Sequence, residues 1–514
     1  MQGKYKKFAV FFILIALAGI LCATRLWRVT TIPSGLHIDE AGMAYSAWCL
    51  AQYGIDRDLT PWPVYLVNFG GGQSAMYAYL CAALFRIFGY HLILVRVPAI
   101  LFSLITFIFG MKLVRRIYPQ SIWRPLLCGF LITVCPYFIL AGRFGLDCNL
   151  MLGASMVFLY FFVSAVSSGN LKYYGAAGIF GGLLLYTYAL SYMILPLFLL
   201  LCLAYTVRCG QFSLKGWAVM AVPMAVFAFP LILVQIVNLF ELPEIQLGIF
   251  TITRMETYRV SEITWLTWDN FLQALRSVFL GDSFAYNSIP GVPNLYGVTI
   301  PLFFTGFCSA ALGLARELKS RKSNLLSFVL LWFLAVFIFE CHIDSNVNKI
   351  NAVFGVTVIL AVHGLAVLCG IGGKLAKALP AVICCLYAIC FLQFGVYYLG
   401  GQYTRDYYPL PYFDITVTEA VSFLEENPQY KRKGTYLAES REYLALSVLC
   451  SPQEFAAGEE GSVFSYYRCG SLGEVEEGYN YIVRDIYAEY AQKLRQMGFE
   501  EEKYTGYSLF YRKE

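Results

Sequence analysis

The chain has 514 residues and a formal net charge of +5, with 59% hydrophobic and 14% charged residues and a mean hydropathy of +0.61. Soluble domains carry about 25% charged residues, so these proportions exclude a water-soluble globular chain. The small net charge, with no basic run interleaved with aromatics, excludes nucleic acid as a partner. What they fit is a polytopic α-helical membrane protein bathed by the lipid bilayer, because stretches of the about 20 apolar residues that one spanning helix needs recur along the chain.

In chain order the apolar runs predict spans near Phe8 to Leu26, Leu92 to Val114, Pro125 to Ala141, Leu150 to Val166, Tyr174 to Leu190 and Met193 to Val207. Further spans are predicted near Trp217 to Leu239, Leu295 to Ala315, Leu325 to Glu340, Ala352 to Cys369 and Leu379 to Leu399. That makes about 11 transmembrane helices. The stretch Ser74 to Gly89 is short and flanked by glycines. If it lies on the outer surface without spanning, the cluster Lys112, Arg115, Arg116 and Arg124 shares the cytoplasmic side with Lys172, Arg208, Lys215, Arg316, Lys319, Arg321, Lys322, Lys374 and Lys377, as the positive-inside rule requires. The N-terminus is then cytoplasmic and the C-terminus extracytoplasmic, in the cell membrane.

This division gives a membrane core, residues 1–399, with a large first outer loop (27–91), and an extracytoplasmic α/β domain at 400–514. The tail turns polar, with strands expected at Gly434 to Ala438, Tyr479 to Val483 and Tyr507 to Tyr511, and helices at Val417 to Glu426 and Ala488 to Met497. The 16 cysteines fall mostly in apolar runs, where a thiol acts as a small hydrophobe. Only Cys450 and Cys469 are placed to form a disulfide. Gly70-Gly71-Gly72 lacks the spacing of a phosphate loop and reads as a hinge.

Chemistry concentrates beyond the first span. Asp39 and Glu40 are adjacent carboxylates, and like charges beside an apolar surface favour tuning one of them as a general base. The same pair also suits the first turn of a helix, where acids meet the positive end of the dipole. Arg96 opens the second span, Arg143 and Asp147 follow the third, and Lys349 precedes the tenth. A charge at the bilayer centre costs about 2.5 to 3.5 kcal/mol on insertion scales, so ionisable groups gathered at one membrane face suggest a cationic cavity floored by carboxylates. The third outer loop adds Arg254 and Arg259. His37 beside Asp39 and Glu40 offers donors for a divalent cation, but no further ligands are in view, and no metal or cofactor is expected. His363, inside a span, reads as a satisfied packing residue.

Asp39-Glu40 after the first span, Arg96-x-Pro-Ala at the second and Arg143-x-x-x-Asp147 after the third resemble the dolichyl-phosphate-mannose protein mannosyltransferases, glycosyltransferase family 39 of the GT-C superfamily, and their bacterial aminoarabinose-transferase relatives. The likeness runs over about Phe8 to Leu399. It implies a polyprenyl-phosphate-linked sugar donor and inverting transfer at the outer face to a glycan, lipid or protein acceptor. By motif position Asp39 would be the catalytic base and Glu40 would orient acceptor or base. Arg96 would join the polar network at the donor end, and Asp147 would be the second acidic position. The His-Pro-Pro segment of the eukaryotic enzymes is replaced by Asn68-Phe69-Gly70-Gly71-Gly72-Gln73-Ser74, which argues against protein O-mannosylation. Arg143, Lys349, Arg254 and Arg259 are the cations available to the departing phosphate. The rival reading is a transporter or flippase for a lipid-linked glycan, which would use the same cavity without chemistry; the internal repeats and broken helices near the midplane that transporter folds tend to show are not expected from this sequence.

Overall fold

The computed structural model describes residues 2–69, 71–255, 265–407 and 413–513. Gly70 and the candidate Arg259 lie outside the described residues. The first helix, α1 (Gln2–Leu26), leads into the first loop, which holds β1 (Leu36–His37), α2 (Ile38–Tyr53), β2 (Tyr65–Asn68), β3 (Gly71–Ser74) and α3 (Ala75–Phe88). Then come α4 (Leu92–Ile117), α5 (Trp123–Val134), α6 (Pro136–Ala141), α7 (Cys148–Ser168), α8 (Leu171–Leu184), α9 (Ser191–Arg208) and α10 (Leu214–Leu239). The third outer loop contains β4 (Ile245–Leu247), β5 (Phe250–Ile252) and α11 (Trp268–Phe279), and the membrane part closes with α12 (Thr299–Ser320), α13 (Leu326–Glu340), α14 (Phe354–Gly370) and α15 (Gly373–Leu399).

Among the described residues 8 helices are long and apolar enough to cross a membrane, and the chain is a multi-pass membrane protein. The remaining expected spans are shorter: α8 and α13 have 14 and 15 residues, and the span at 123–141 is broken. α3, with 14 residues, is about 21 Å long at 1.5 Å per residue, short of the about 30 Å hydrocarbon layer. Helices α7 and α14 are largely enclosed, whereas α1, α10 and α15 present exposed apolar side chains such as Phe12, Val222, Val226, Leu392 and Val396. α12 and α14 meet backbone to backbone at Gly306 and Gly364, where a Cβ on either would run into the carbonyl of Leu360 or Leu302; close approach over small residues is how helices associate without a hydrophobic drive between them.

The break between α5 and α6 has a local cause. Pro136 has no N–H for the carbonyl four residues back, and the chain turns extended at Cys135. The orphaned carbonyls are met from elsewhere. Arg25 of α1 donates from Nη2 to Ile132 O (3.0 Å) and from Nη1 to Thr133 O (2.8 Å), and Tyr296 Oη donates to Val134 O (2.9 Å). Arg25 also reaches Phe138 O at 2.9 Å and Ser103 Oγ at 3.2 Å, and is fully buried.

Past the membrane part lie α16 (Gln402–Tyr407), β6 (Phe413–Asp414), α17 (Thr418–Glu426), β7 (Gly434–Leu437), α18 (Arg441–Val448), α19 (Pro452–Ala457), α20 (Ser462–Tyr466), β8 (Tyr467–Cys469), β9 (Tyr479–Arg484), α21 (Ala488–Gln496), β10 (Glu500–Lys503) and β11 (Tyr507–Tyr511). A five-stranded sheet orders them β10-β11-β9-β7-β8, with β7 parallel to β8 and β9. The tail rests on the first loop. β6 pairs antiparallel with β1, Leu36 opposite Asp414 and His37 opposite Phe413. Tyr443 Oη donates to Leu36 O (3.0 Å) and Tyr45 Oη to Cys450 O (2.9 Å). One hydrophobic core therefore runs across the compositional change near residue 400, joining Tyr45 and Trp48 to Leu444, Phe455 and Leu509.

Two smaller expectations are corrected. Cys450 and Cys469 are free thiols, and Cys450 Sγ lies 3.2 Å from Tyr45 Oη. Gly71 and Gly72, expected to belong to a hinge, sit in strand β3 of a hairpin with β2, where Val67 faces Gly72 and Asn68 faces Gly71. A side chain at 72 would overlap the Tyr65 ring and Met255 Sδ.

Candidate active site

The loop after α1 delivers Asp39 and Glu40 into the first turn of α2, and His37 is the cap. His37 Nδ1 accepts from the Asp39 N–H (3.2 Å), while the His37 N–H donates to Glu40 Oε2 (2.8 Å), a reciprocal capping box. Burial lowers the His37 pKa below its ordinary 6.5, opposed by Asp39 and Glu40, which keeps the ring neutral and Nδ1 able to accept. The helix-start reading and the functional reading of Asp39-Glu40 thus describe one place: the cap fixes where the pair points.

The two carboxylates then part ways. Glu40 is fully buried. It accepts from the Gly145 N–H and faces Arg96, Nε to Oε1 at 3.4 Å and Nη2 to Oε2 at 3.5 Å. Position 145 has no room for a side chain, since a Cβ would stand 2.9 Å from Val95 O and 3.0 Å from Glu40 Oε1. Asp39 keeps 41% of its side-chain surface exposed, and Asn68 Nδ2 donates to its Oδ1 at 3.2 Å. Asn68 is itself held by Arg57, Nη2 to Oδ1 at 2.6 Å.

Arg96 and Arg143, expected to meet substrate, are fully buried. Arg96 donates to the carbonyls of Val29, Pro33 (3.2 Å) and Gly35 (2.6 Å). Arg143 donates to Thr24 O (2.7 Å), Trp27 O (2.8 Å) and Ile32 O and stacks over Tyr398 at 5.5 Å. Beside the substrate role expected of them they have one of construction: both guanidiniums fold the exit of α1 into a tight loop and so set the position of α2. Sequence alone could not separate the two roles, because both call for an arginine at the membrane face.

Asp147 closes the floor. It caps α7, accepting from Cys148 N (2.8 Å), and its Oδ2 accepts from the Ser74 N–H of the β2–β3 hairpin (3.1 Å). Around it stands a group of asparagines that the sequence reading passed over. Asn287 Nδ2 donates to Asn149 Oδ1 (2.8 Å) and Asn348 Oδ1 (2.8 Å), and Asn351 Nδ2 to Cys148 O (2.8 Å) and Asn348 O (2.9 Å). Tyr286, next to Asn287, lies against His37 with ring centroids 4.1 Å apart. The one available signal was the interrupted polarity of Asn346-Val347-Asn348-Lys349-Ile350-Asn351. Through this cluster the turn carrying Lys349, half-buried, reaches the Asp39 and Asp147 end of the molecule. Arg254 is apart from it: half-exposed, it pairs with Glu241 at 3.6 Å and lines a cavity with Arg57 and Phe69. His363 is satisfied as expected, with Nδ1 2.9 Å from Tyr118 Oη and Nε2 3.2 Å from Ser309 Oγ.

Residues 72–233 match the family model described as dolichyl-phosphate-mannose-protein mannosyltransferase. Among solved structures, the chain superposes on ArnT from Cupriavidus metallidurans bound to undecaprenyl phosphate with a TM-score of 0.54 at 13% identity, covering 97% of each chain. The chain has the fold of the GT-C glycosyltransferases. The archaeal oligosaccharyltransferase AglB from Archaeoglobus fulgidus, in complex with an inhibitory peptide and a dolichol-phosphate, gives a TM-score of 0.51 at 14% identity over 86% of this chain and 64% of that one. No curated protein matches by sequence. The superposition on ArnT covers 97% of this chain and so takes in the outer tail as well as the membrane helices.

Proposed function

We propose that the chain transfers a sugar, with inversion, from a polyprenyl-phosphate donor to an acceptor hydroxyl at the outer face of the cell membrane, and that Asp39 is the base. It is a membrane glycosyltransferase. The observation that carries the assignment of the base is the contrast within the acidic pair: Glu40 is closed in by Arg96 and backbone N–H groups, while Asp39 is half-exposed at a capped helix start with one oxygen steered by Asn68. The similarity to ArnT, whose structure contains undecaprenyl phosphate, and to AglB, which contains a dolichol-phosphate, supports the donor class.

The acceptor hydroxyl gives its proton to Asp39 as its oxygen bonds to the anomeric carbon. The bond from that carbon to the phosphate oxygen breaks, and its electrons leave with the polyprenyl phosphate. Because the nucleophile enters opposite the leaving group, the configuration inverts. Charge developing on the phosphate needs fixed cations, and losing one such donor costs about 2.7 to 4 kcal/mol of transition-state stabilisation in a known enzyme; Lys349 is the cation on the turn joined to this end of the molecule. Asp147 holds the β2–β3 hairpin that carries Asn68, and so acts on Asp39 through that hairpin.

Orientation follows from the two ends of the helix bundle. The basic termini of α4, α5, α8, α9, α10, α12 and α15 gather at one end, where Arg116 meets Ser167 (3.0 and 2.7 Å) and Tyr205 meets Glu317 (2.5 Å); the acidic pair is at the other. With the basic end cytoplasmic, the tail and Asp39 are outside. Cysteine labelling from outside, in a background lacking reactive cysteines, is expected to tag position 471 and spare 322. The activity is tested by incubating purified protein with a panel of polyprenyl-phosphate sugars and measuring release of polyprenyl phosphate. A well-folded preparation with no turnover across the panel would favour lipid-linked glycan transport.

A further inference from the structure

Between the first loop and the tail lies a second cavity of about 630 Å³, lined among others by Arg57, Phe69, Arg254, Glu439, Glu442 and Phe455. Its walls hold polar groups that the protein leaves without hydrogen bonds. Glu439 is 5% exposed, and neither Oε1 nor Oε2 has a partner. Arg57 is 4% exposed, and its Nη1 makes no hydrogen bond, standing 3.6 Å from Glu442 Oε1. A buried polar group without a hydrogen bond costs about 1 to 3 kcal/mol, so a carboxyl with no partner and a guanidinium nitrogen that has an ion-pair neighbour but no hydrogen bond, both in residues lining one cavity, mark a place that a ligand completes. Burial pushes the Glu439 carboxyl well above the ordinary carboxylate range, which favours its protonated form, a donor as well as an acceptor.

The ligand chemistry follows from the complement. One wall needs a group that gives and takes a hydrogen bond, another needs an acceptor, and Phe69, exposed beside Arg57, offers an apolar ring face. A hydroxyl is both donor and acceptor, and a pyranose ring carries several of them around a C–H face that packs on aromatic rings. The volume lies within the about 300 to 1,000 Å³ of small-molecule sites. Position adds a further constraint. Arg57 lines this cavity and places Nη2 on Asn68, which donates to Asp39, so a ligand seated here is one guanidinium and one amide away from the base.

We propose that this cavity is the saccharide subsite of the acceptor, completed by hydrogen bonds from sugar hydroxyls to Glu439 and Arg57, so that the acceptor is a glycan or glycolipid. This rests on the transferase reading above, whose acceptor class it names. Asn68 then couples acceptor binding to the orientation of Asp39.

The test is direct binding of defined sugars to the full chain in detergent, by saturation-transfer difference NMR with methyl α-D-mannoside, cellobiose and chitobiose as probes. At least one probe is expected to bind. Glu439→Leu should weaken it about ten-fold or more, the loss of a hydrogen bond to an ionisable group, and Phe69→Ala, at an exposed position where folding is not at stake, should weaken it several-fold. No binding by any probe, or binding indifferent to both Glu439→Leu and Phe69→Ala, would overturn the subsite. Release of polyprenyl phosphate, measured on the same preparations, separates the two readings: sugar binding without donor turnover removes the transferase and keeps the cavity, and donor turnover without sugar binding does the reverse.

Discussion

Two regions meet at Asp39, and they use charge in opposite ways. On the membrane side Arg25, Arg96 and Arg143 are fully buried, and their N–H groups go to backbone carbonyls, to the Thr24 and Ser103 hydroxyls and to Glu40, with Arg143 Nε left without a partner. On the tail side Glu439 is nearly as enclosed, yet neither of its carboxyl oxygens has a partner. Burial alone does not tell a structural charge from a functional one; how much of its hydrogen bonding is met separates the two sides. The arginines convert an irregular loop at the end of α1 into a rigid mount, whereas the bare carboxyl holds the capacity to bind.

The sharpest way to break this comparison is at Asp39. Asp39→Asn keeps the helix start, since the cap is His37 and position 39 gives it only a backbone N–H, but removes the base, so turnover is expected to fall about 10² to 10⁴-fold with the melting temperature unchanged. Wild-type turnover would end the assignment. Next is Arg96→Met, which leaves Glu40 charged and enclosed; breaking a buried pair from one side costs about 3 to 5 kcal/mol, visible as a large fall in Tm and in yield of monodisperse protein. Glu40→Gln is expected to act through stability in the same direction. If Arg96→Met folded normally and lost only donor affinity, Arg96 would belong with the substrate after all.

A smaller loss is expected for Arg25→Met, which uncovers the carbonyls freed by Pro136, each worth about 1 to 3 kcal/mol when left bare. Restoring the helix with Pro136→Ala in the same chain should return part of that stability, because a new N–H then serves Ile132 O. The smallest effect concerns Asp56, whose carboxyl burial raises from 3.8 to about 7 while Oδ1 accepts from the Thr60 and Asp58 N–H groups. Its raised folded pKa means that the folded state holds a proton the unfolded chain has released, so this group's contribution falls as pH rises from about 4 to about 7 and is flat above. Asp56→Asn should therefore gain in Tm relative to the parent as pH goes from 5 to 7, and gain no more from 7 to 8.

Much of the fold is legible in the sequence because hydropathy reports a one-dimensional quantity: the apolar runs place each helical segment of the bundle, and period-two alternation places β7, β9 and β11. The short elements β8, β10 and α18 to α20 are not legible, since they are fixed by packing on the first loop rather than by local pattern. In the site, Asp39, Glu40 and Asp147 are recoverable from their spacing behind the first and third spans. Asn68, Asn149, Asn287 and Asn351 are not, because an asparagine is marked only by the partner it finds, and those partners lie up to 203 positions away. The carbonyl partners of Arg96 and Arg143 are hidden for the same reason.

The pairing of β1 with β6 has a consequence for how the protein is made. His37, which sets the start of α2, lies in a strand whose mate is Phe413, so the frame around the base closes only after every membrane helix has been synthesised. Contacts of such sequence separation form late, because the chain between them must first be ordered. On the ribosome, then, the growing chain passes through a long period as an inserted bundle whose outer loop is unbraced. Arrival of the tail is what completes it, and a nascent membrane-bound transferase of this design stays idle until its own translation is nearly over.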